Sequence, residues 1–299
     1  MQALTRLQLA LLIPLTLVWG LNWPVMKLGV AGYPPLTFRA LSIWLGVPVL
    51  AAVLVAMKVP FRVPRKHWPE LIWLAATNMF VWHACIILAV KELSGGRAAI
   101  LGYTMPVFSA IVGGLFFGNS LNKRSWLGVA AAGVGVGLLL WHELTSLAGK
   151  PAFVALALVA AATWALGTQL LRRTAIPVPT LTLSFWMTLL TAVVMTGLSA
   201  VLERPQWQAW QWPGAVTWGS ILYNAVLIFG FAHAAWFYLA RSLPPVASTI
   251  SVMLIPVLGV ASGAVWLGEA VHWQDGVAVA LMMVAIAAVL WPARKPAAG

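Results

Sequence analysis

Residues 7–30, LQLALLIPLTLVWGLNWPVMKLGV, form a single apolar run whose one charge, Lys27, sits near its end. A helix rises about 1.5 Å per residue and the hydrocarbon core of a bilayer is roughly 30 Å thick, so about 20 such residues cross it. The run follows a single Arg6, as a secretory leader would. It continues, however, through Trp19, Asn22 and Trp23 without a small-residue cleavage site, and so reads as a permanent membrane helix.

Moving outward, runs of the same kind recur at 36–57, 68–91, 95–117 and 124–141, then at 151–174, 179–202, 212–239, 244–267 and 273–291. These make ten predicted transmembrane helices. The chain is 62% hydrophobic and 8% charged, against roughly a quarter charged in soluble domains, and no water-soluble fold of this length hides so much apolar surface. The fold class is therefore an all-α membrane protein embedded in a lipid bilayer. The single cysteine, Cys85, lies inside an apolar run. It offers neither a disulfide framework nor a cysteine-based metal site, and reads as a small hydrophobe.

A formal charge of +12 raises the question of a nucleic acid partner, and the distribution of the charge answers it. The basic residues sit in short loops between spans rather than on one groove-sized face. Lysine and arginine of short loops favour the cytoplasm. With both termini placed there, twelve of the 18 basic residues fall inside, among them Lys58, Arg62, Arg65, Lys66, Arg172, Arg173, Arg294 and Lys295. The other six are Lys27, Arg39, Lys91, Arg97, Lys150 and Arg204. The predicted arrangement is multi-pass in the inner (plasma) membrane with cytoplasmic termini, and the charge needs no nucleic acid.

The chain also resembles itself. A shift of 150 residues lays Pro106 on Pro256, Gly113 on Gly263, Gly118 on Gly268 and His83 on His233. Earlier in each half a shift of 145 lays Trp19 on Trp164 and Pro34 on Pro179. The chain thus divides into residues 1–145 and 146–299, each with five spans. Because five is odd, the second set starts on the opposite side of the membrane. Inverted repeats of this kind characterise secondary transporters, whose substrate site lies between the repeats near the midplane.

Polar side chains within hydrocarbon are costly and face a cavity or a partner helix. Trp19, Asn22, Trp23 and Met26 share one face of the first span by their i, i+3, i+4, i+7 spacing, which lines a path or packs on a neighbour. Trp164, Gly167 and Thr168 form the equivalent stripe of the sixth. Asn78 and Trp82, four apart, share a face of the third, and Trp186 lies near the middle of the seventh. Tyr103 precedes Pro106, whose missing amide hydrogen frees a carbonyl one turn back. These residues make up the candidate substrate site. His83 and His233, expected at comparable depths toward opposite surfaces, are candidates for proton coupling or for interhelix hydrogen bonds. Arg39 either attracts a substrate carboxylate or snorkels to the outer interface.

Trp19-Gly20-Leu21-Asn22, Pro34-Pro35 leading to Arg39, Pro106 with Gly118, and their counterparts Pro256 and Gly268-Glu269 together resemble the drug/metabolite transporter superfamily in its EamA-type branch. Within it the chain is most similar to the YddG-type aromatic amino acid exporters. The resemblance implies that helices 1–4 and 6–9 surround a central cavity, with helices 5 and 10 outside them and available for a homodimer contact. It further implies export of amino acids, aromatic and other neutral ones, from the cytoplasm, with broad drug or metabolite export as the alternative.

No Asp or Glu lies deep within a span, so the embedded carboxylate of cation/proton antiporters is missing. The five histidines form no HExxH or Cys–His metal spacing, and there is no GxSG stretch. No cofactor, metal site or enzymatic activity is therefore expected. A channel remains the rival class, and the repeat argues for alternating access instead.

Overall fold

The computed structural model describes residues 5–118, 123–145, 150–242 and 249–290; Trp291, Arg294 and Lys295 lie outside them. Among the described residues all regular structure is helical. The helices are α1 (Arg6–Val30), α2 (Pro35–Ala56), α3 (Arg65–Glu92), α4 (Gly95–Phe117), α5 (Lys123–Thr145), α6 (Pro151–Arg173), α7 (Thr180–Leu202), α8 (Ala215–Ser242), α9 (Thr249–Leu267) and α10 (Trp273–Leu290). A five-residue helix, Arg204–Gln208, joins α7 to α8. Among the described residues, α1–α4 and α6–α8 are long and apolar enough to cross a membrane, and α5, α9 and α10 carry the apolar stretches Trp126–His142, Leu254–Leu267 and Trp273–Ala288.

Local chemistry sets the helix ends. Thr5 accepts a hydrogen bond from Gln8 N, and the Gln8 side chain accepts one from Thr5 N, which together start α1 with a capping box. Pro35 occupies the first turn of α2, where its missing N–H is no loss. α8 begins at Ala215 rather than at 212, because Pro213 biases Trp212 away from helical geometry and Gly214 is extended. After α4 and α9 the chain turns through Gly118 (φ 67°) and Gly268 (φ 63°), left-handed positions that only glycine adopts without steric cost.

Two helices depart from regular α geometry at related places. α3 contains a π-helical segment, Ala76–Phe80, and α8 contains a longer one, Asn224–Ala232. Such wide turns occur frequently at functional sites. α4 is interrupted at Tyr103 and Thr104, with Pro106 in the first turn of its second part.

α1 packs against α9 and α8, while α6 packs against α4 and α3. α2 packs against α7 and the π segment of α8, and α3 packs against α7. α5 and α10 lie chiefly against each other. At the end where α1 finishes, polar contacts tie elements distant in sequence. Glu203 accepts from Leu36 N and Thr37 N at 2.8 and 2.7 Å, and Glu269 accepts from Gly95 N at 2.7 Å. Lys27 donates to the carbonyls of Lys91 and Leu93, and Lys150 pairs with Glu92. At the other end, Thr182 and Trp186 donate to the carbonyls of Pro60 and Phe61.

Candidate functional site

Six helices meet around a cavity of about 40 Å³. The expected face of α1 supplies Trp19, Asn22, Trp23 and Met26; α3 adds Trp82, His83 and Ile86. α4 contributes Tyr103 and Met105 at its break, α2 contributes Arg39, α6 Trp164, and α8 Ile228 and His233. A water needs at least about 10 Å³ in such a space, whereas small-molecule pockets run from roughly 300 Å³ upward. This conformation accommodates a few waters, and an amino acid enters only if the helices part.

The wall is mostly aromatic. The Trp164 ring lies 5.1 Å from Trp82, 6.2 Å from Trp19 and 5.7 Å from His233. Trp23 meets Tyr103 edge-on at 6.2 Å. Among the described residues, Trp164 Nε1 and Asn22 Oδ1 are buried without hydrogen-bond partners. A donor and an acceptor of this kind, inside an apolar wall, are costly unless a solute takes them.

Arg39 does not snorkel. It is 1% exposed and points from the second turn of α2 into the bundle. Its Nη1 donates to Asn224 Oδ1 at 3.0 Å and its Nη2 contacts Met26 Sδ at 2.7 Å. The guanidinium carbon sits 5.9 and 5.7 Å from the ring centroids of Phe38 and Phe229. Arg39 Nε has no partner, and no carboxylate pairs with this side chain among the described residues. Asn224 opens the π segment of α8. Its Nδ2 donates to Ser220 O at 3.0 Å, which leaves Oδ1 directed at Arg39.

His83 and His233 meet in the cavity wall with ring centroids 5.0 Å apart, so any offset of the two toward opposite surfaces is small. His233 stacks on Phe229 at 5.1 Å, and its Nδ1 lies 2.8 Å from Ile228 O; since a carbonyl only accepts, Nδ1 carries the hydrogen. Neither nitrogen of His83 has a partner among the described residues.

Three expected site residues lie outside the wall. Asn78 is fully buried, donates to Leu74 O at 3.1 Å and packs on Gly167, where a Cβ would stand 2.6 Å from its amide carbon. Thr168 is buried one turn beyond Trp164. Trp186 donates to Phe61 O at 2.7 Å and meets the Trp68 ring at 4.9 Å, at one end of the bundle. The sequence reading missed Asn224 and Trp236; the Trp236 ring lies 5.4 Å from Trp19. Both stood open to the rule that singled out Asn22, since each is a polar or amphipathic group inside an apolar run. No cluster of three metal-ligating side chains occurs among the described residues.

The wall thus carries one guanidinium, several indole rings and an amide oxygen without a partner among the described residues. The profile of the EamA-like transporter family matches residues 7–141 and again 152–291. The uncharacterized inner membrane transporter YedA of Escherichia coli (strain K12) is 27% identical over 293 residues, covering 95% of this chain and 92% of its own. A probable amino-acid metabolite efflux pump of Salmonella typhimurium (strain LT2) is 27% identical over 284 residues, covering 92% of this chain and 91% of its own. One crystal structure superposes with a TM-score of 0.72 over 96% of this chain and 99% of its own, at 20% identity, a likeness of fold alone.

Proposed function

The chain belongs to the EamA-like transporter family, and on that premise we propose that it exports amino acids, aromatic and other neutral ones, from the cytoplasm by alternating access. The observation that carries this reading is Arg39, a buried cation in the cavity wall without a carboxylate partner among the described residues. Removing an ion from water costs several kcal/mol unless an opposite charge meets it, and an ionisable side chain within a membrane protein is a functional group by default. A substrate carboxylate supplies the missing charge, while the indoles of Trp19, Trp82 and Trp164 receive an aromatic or apolar side chain. The name of the Salmonella relative agrees with that class of cargo. Similarity to the YddG-type exporters is part of this proposal, with broad metabolite or drug export as its alternative.

We read residues 1–145 and 146–299 as two five-helix repeats of opposite orientation. The twofold match of the family profile supports this. So does the packing: α1 with α8 answers α6 with α3, and α2 with α8 answers α7 with α3. By the lysine and arginine distribution the termini are cytoplasmic, which makes the end tied by Glu203 and Glu269 the outer one. Asn78 and Thr168 then support the site from behind rather than touch the solute, and the His83–His233 pair is the candidate proton carrier. α5 and α10, set apart from the cavity, offer a surface to lipid or to a second copy.

The test is uptake of a panel of labelled amino acids into proteoliposomes, with and without an imposed pH gradient. Saturable uptake that accelerates against unlabelled amino acid on the far side is the expected result. Transport of none of the panel, or a non-saturating conductance, overturns the assignment.

A further inference from the structure

Arg39 is held in this conformation by groups that belong to the protein. Asn224 Oδ1 lies 3.0 Å from Nη1 and Met26 Sδ 2.7 Å from Nη2, in a cavity of about 40 Å³ that has no room for an amino acid. Together they occupy two of the nitrogens that a carboxylate would use in a two-point contact. Asn224 is itself fully buried, and its Nδ2 is anchored on Ser220 O, so its oxygen is presented to Arg39 in a fixed orientation.

We propose that Asn224 is an internal stand-in for the substrate carboxylate: it takes up the Arg39 guanidinium when the carrier crosses unloaded and yields it to the carboxylate when the carrier crosses loaded. The inference rests on the reading of Arg39 as the carboxylate anchor. A carrier must return after releasing its cargo, and the return passes through a conformation closed to water on both sides. A bare guanidinium there would raise the energy of that conformation and confine the protein to exchanging one substrate for another. The amide oxygen lowers this barrier. Being neutral, it holds the guanidinium by a hydrogen bond but without the attraction of an opposite charge, so an arriving carboxylate displaces it. An aspartate at the same place would pair with Arg39 permanently and keep substrate out. The polarity of residue 224 therefore decides whether the chain catalyses net export or only exchange.

The experiment uses the full-length protein in liposomes, with labelled phenylalanine as the probe and two readouts. These are net efflux into buffer and exchange against external unlabelled phenylalanine. Asn224→Leu keeps the size and removes the oxygen. Net efflux is expected to slow about 10- to 100-fold, the loss of one hydrogen bond to a buried charge, while exchange stays within about twofold of wild type. Asn224→Asp, nearly isosteric and suited to keep the fold, is expected to slow both modes and to raise the half-saturating concentration about tenfold or more, since the new carboxylate competes for Arg39.

Equal losses of both modes in Asn224→Leu, or unchanged net efflux, overturn the proposal, as does an unchanged half-saturating concentration in Asn224→Asp. If Asn224→Leu does not fold, Asn224→Asp alone decides. Arg39→Gln separates this inference from the reading beneath it. Wild-type transport of phenylalanine by Arg39→Gln, or no phenylalanine transport by the wild type in either mode, removes the anchor itself. Loss of transport in Arg39→Gln with a failed Asn224 pattern removes only the stand-in.

Discussion

Replacing Arg39 with methionine is expected to separate stability from function. The side chain is buried, and its interactions amount to one hydrogen bond to Asn224, one sulfur contact and two aromatic faces more than 5.5 Å away. Losing the hydrogen bond to a charged group costs about 1.5–3 kcal/mol, and the aromatic faces add about 0.5–2 kcal/mol. Against that stands the relief of a buried, unpaired ion, worth several kcal/mol. Arg39→Met should therefore melt at the wild-type temperature or a few degrees above it in detergent. A buried carboxylate–guanidinium contact in turn carries roughly 2–5 kcal/mol, which at about 1.4 kcal/mol per decade is a 30- to several-thousand-fold loss of affinity. Titration of phenylalanine against the melting temperature measures both quantities in one series. A variant that melts several degrees lower, or one that still gains stability from phenylalanine at wild-type concentrations, refutes the reasoning.

Glu269→Ala removes the carboxylate that caps the first turn of α4 and should cost about 0.5–2 kcal/mol of stability, read as a lowered melting temperature with phenylalanine affinity within about threefold of wild type. Gly167→Ala places a Cβ 2.8 Å from Asn78 N, a backbone atom that does not yield as a side chain would, so α6 and α3 must separate at a cost of about 1–3 kcal/mol, again visible in thermal melts. If the paired imidazoles carry protons, His83→Gln and His233→Gln each alter the pH profile of uptake; a profile that keeps its wild-type shape in both variants assigns the pair to packing.

The elements were legible because span length and apolarity are properties of the chain alone. The run at 151–174 became Pro151–Arg173, and that at 179–202 became Thr180–Leu202. The α1 face was legible for the same reason: α1 is regular there, so i, i+3, i+4, i+7 spacing brings Trp19, Asn22, Trp23 and Met26 to one wall. Asn78 and Trp82 both turn toward α6, Trp82 onto Trp164 and Asn78 onto Gly167, but Asn78 sits in the π segment Ala76–Phe80 and outside the cavity wall. No spacing argument anticipates such a segment, and the one in α8 also hid the approach of Asn224 to Arg39. Arg39 itself was ambiguous because an arginine near a helix start snorkels in most membrane proteins; only the position of Asn224 across the interface shows where this one goes. Trp186, near the middle of its apolar run, is taken by a loop carbonyl that lies 125 residues away in sequence.

The central claim, that a buried guanidinium selects the cargo by its carboxylate, is tested most directly by one comparison in proteoliposomes. Saturable uptake is measured for labelled phenylalanine and for phenethylamine, which keeps the ring and the amine but lacks the carboxylate. The account predicts saturable, exchangeable uptake of phenylalanine and none of phenethylamine. Equal uptake of the two contradicts it.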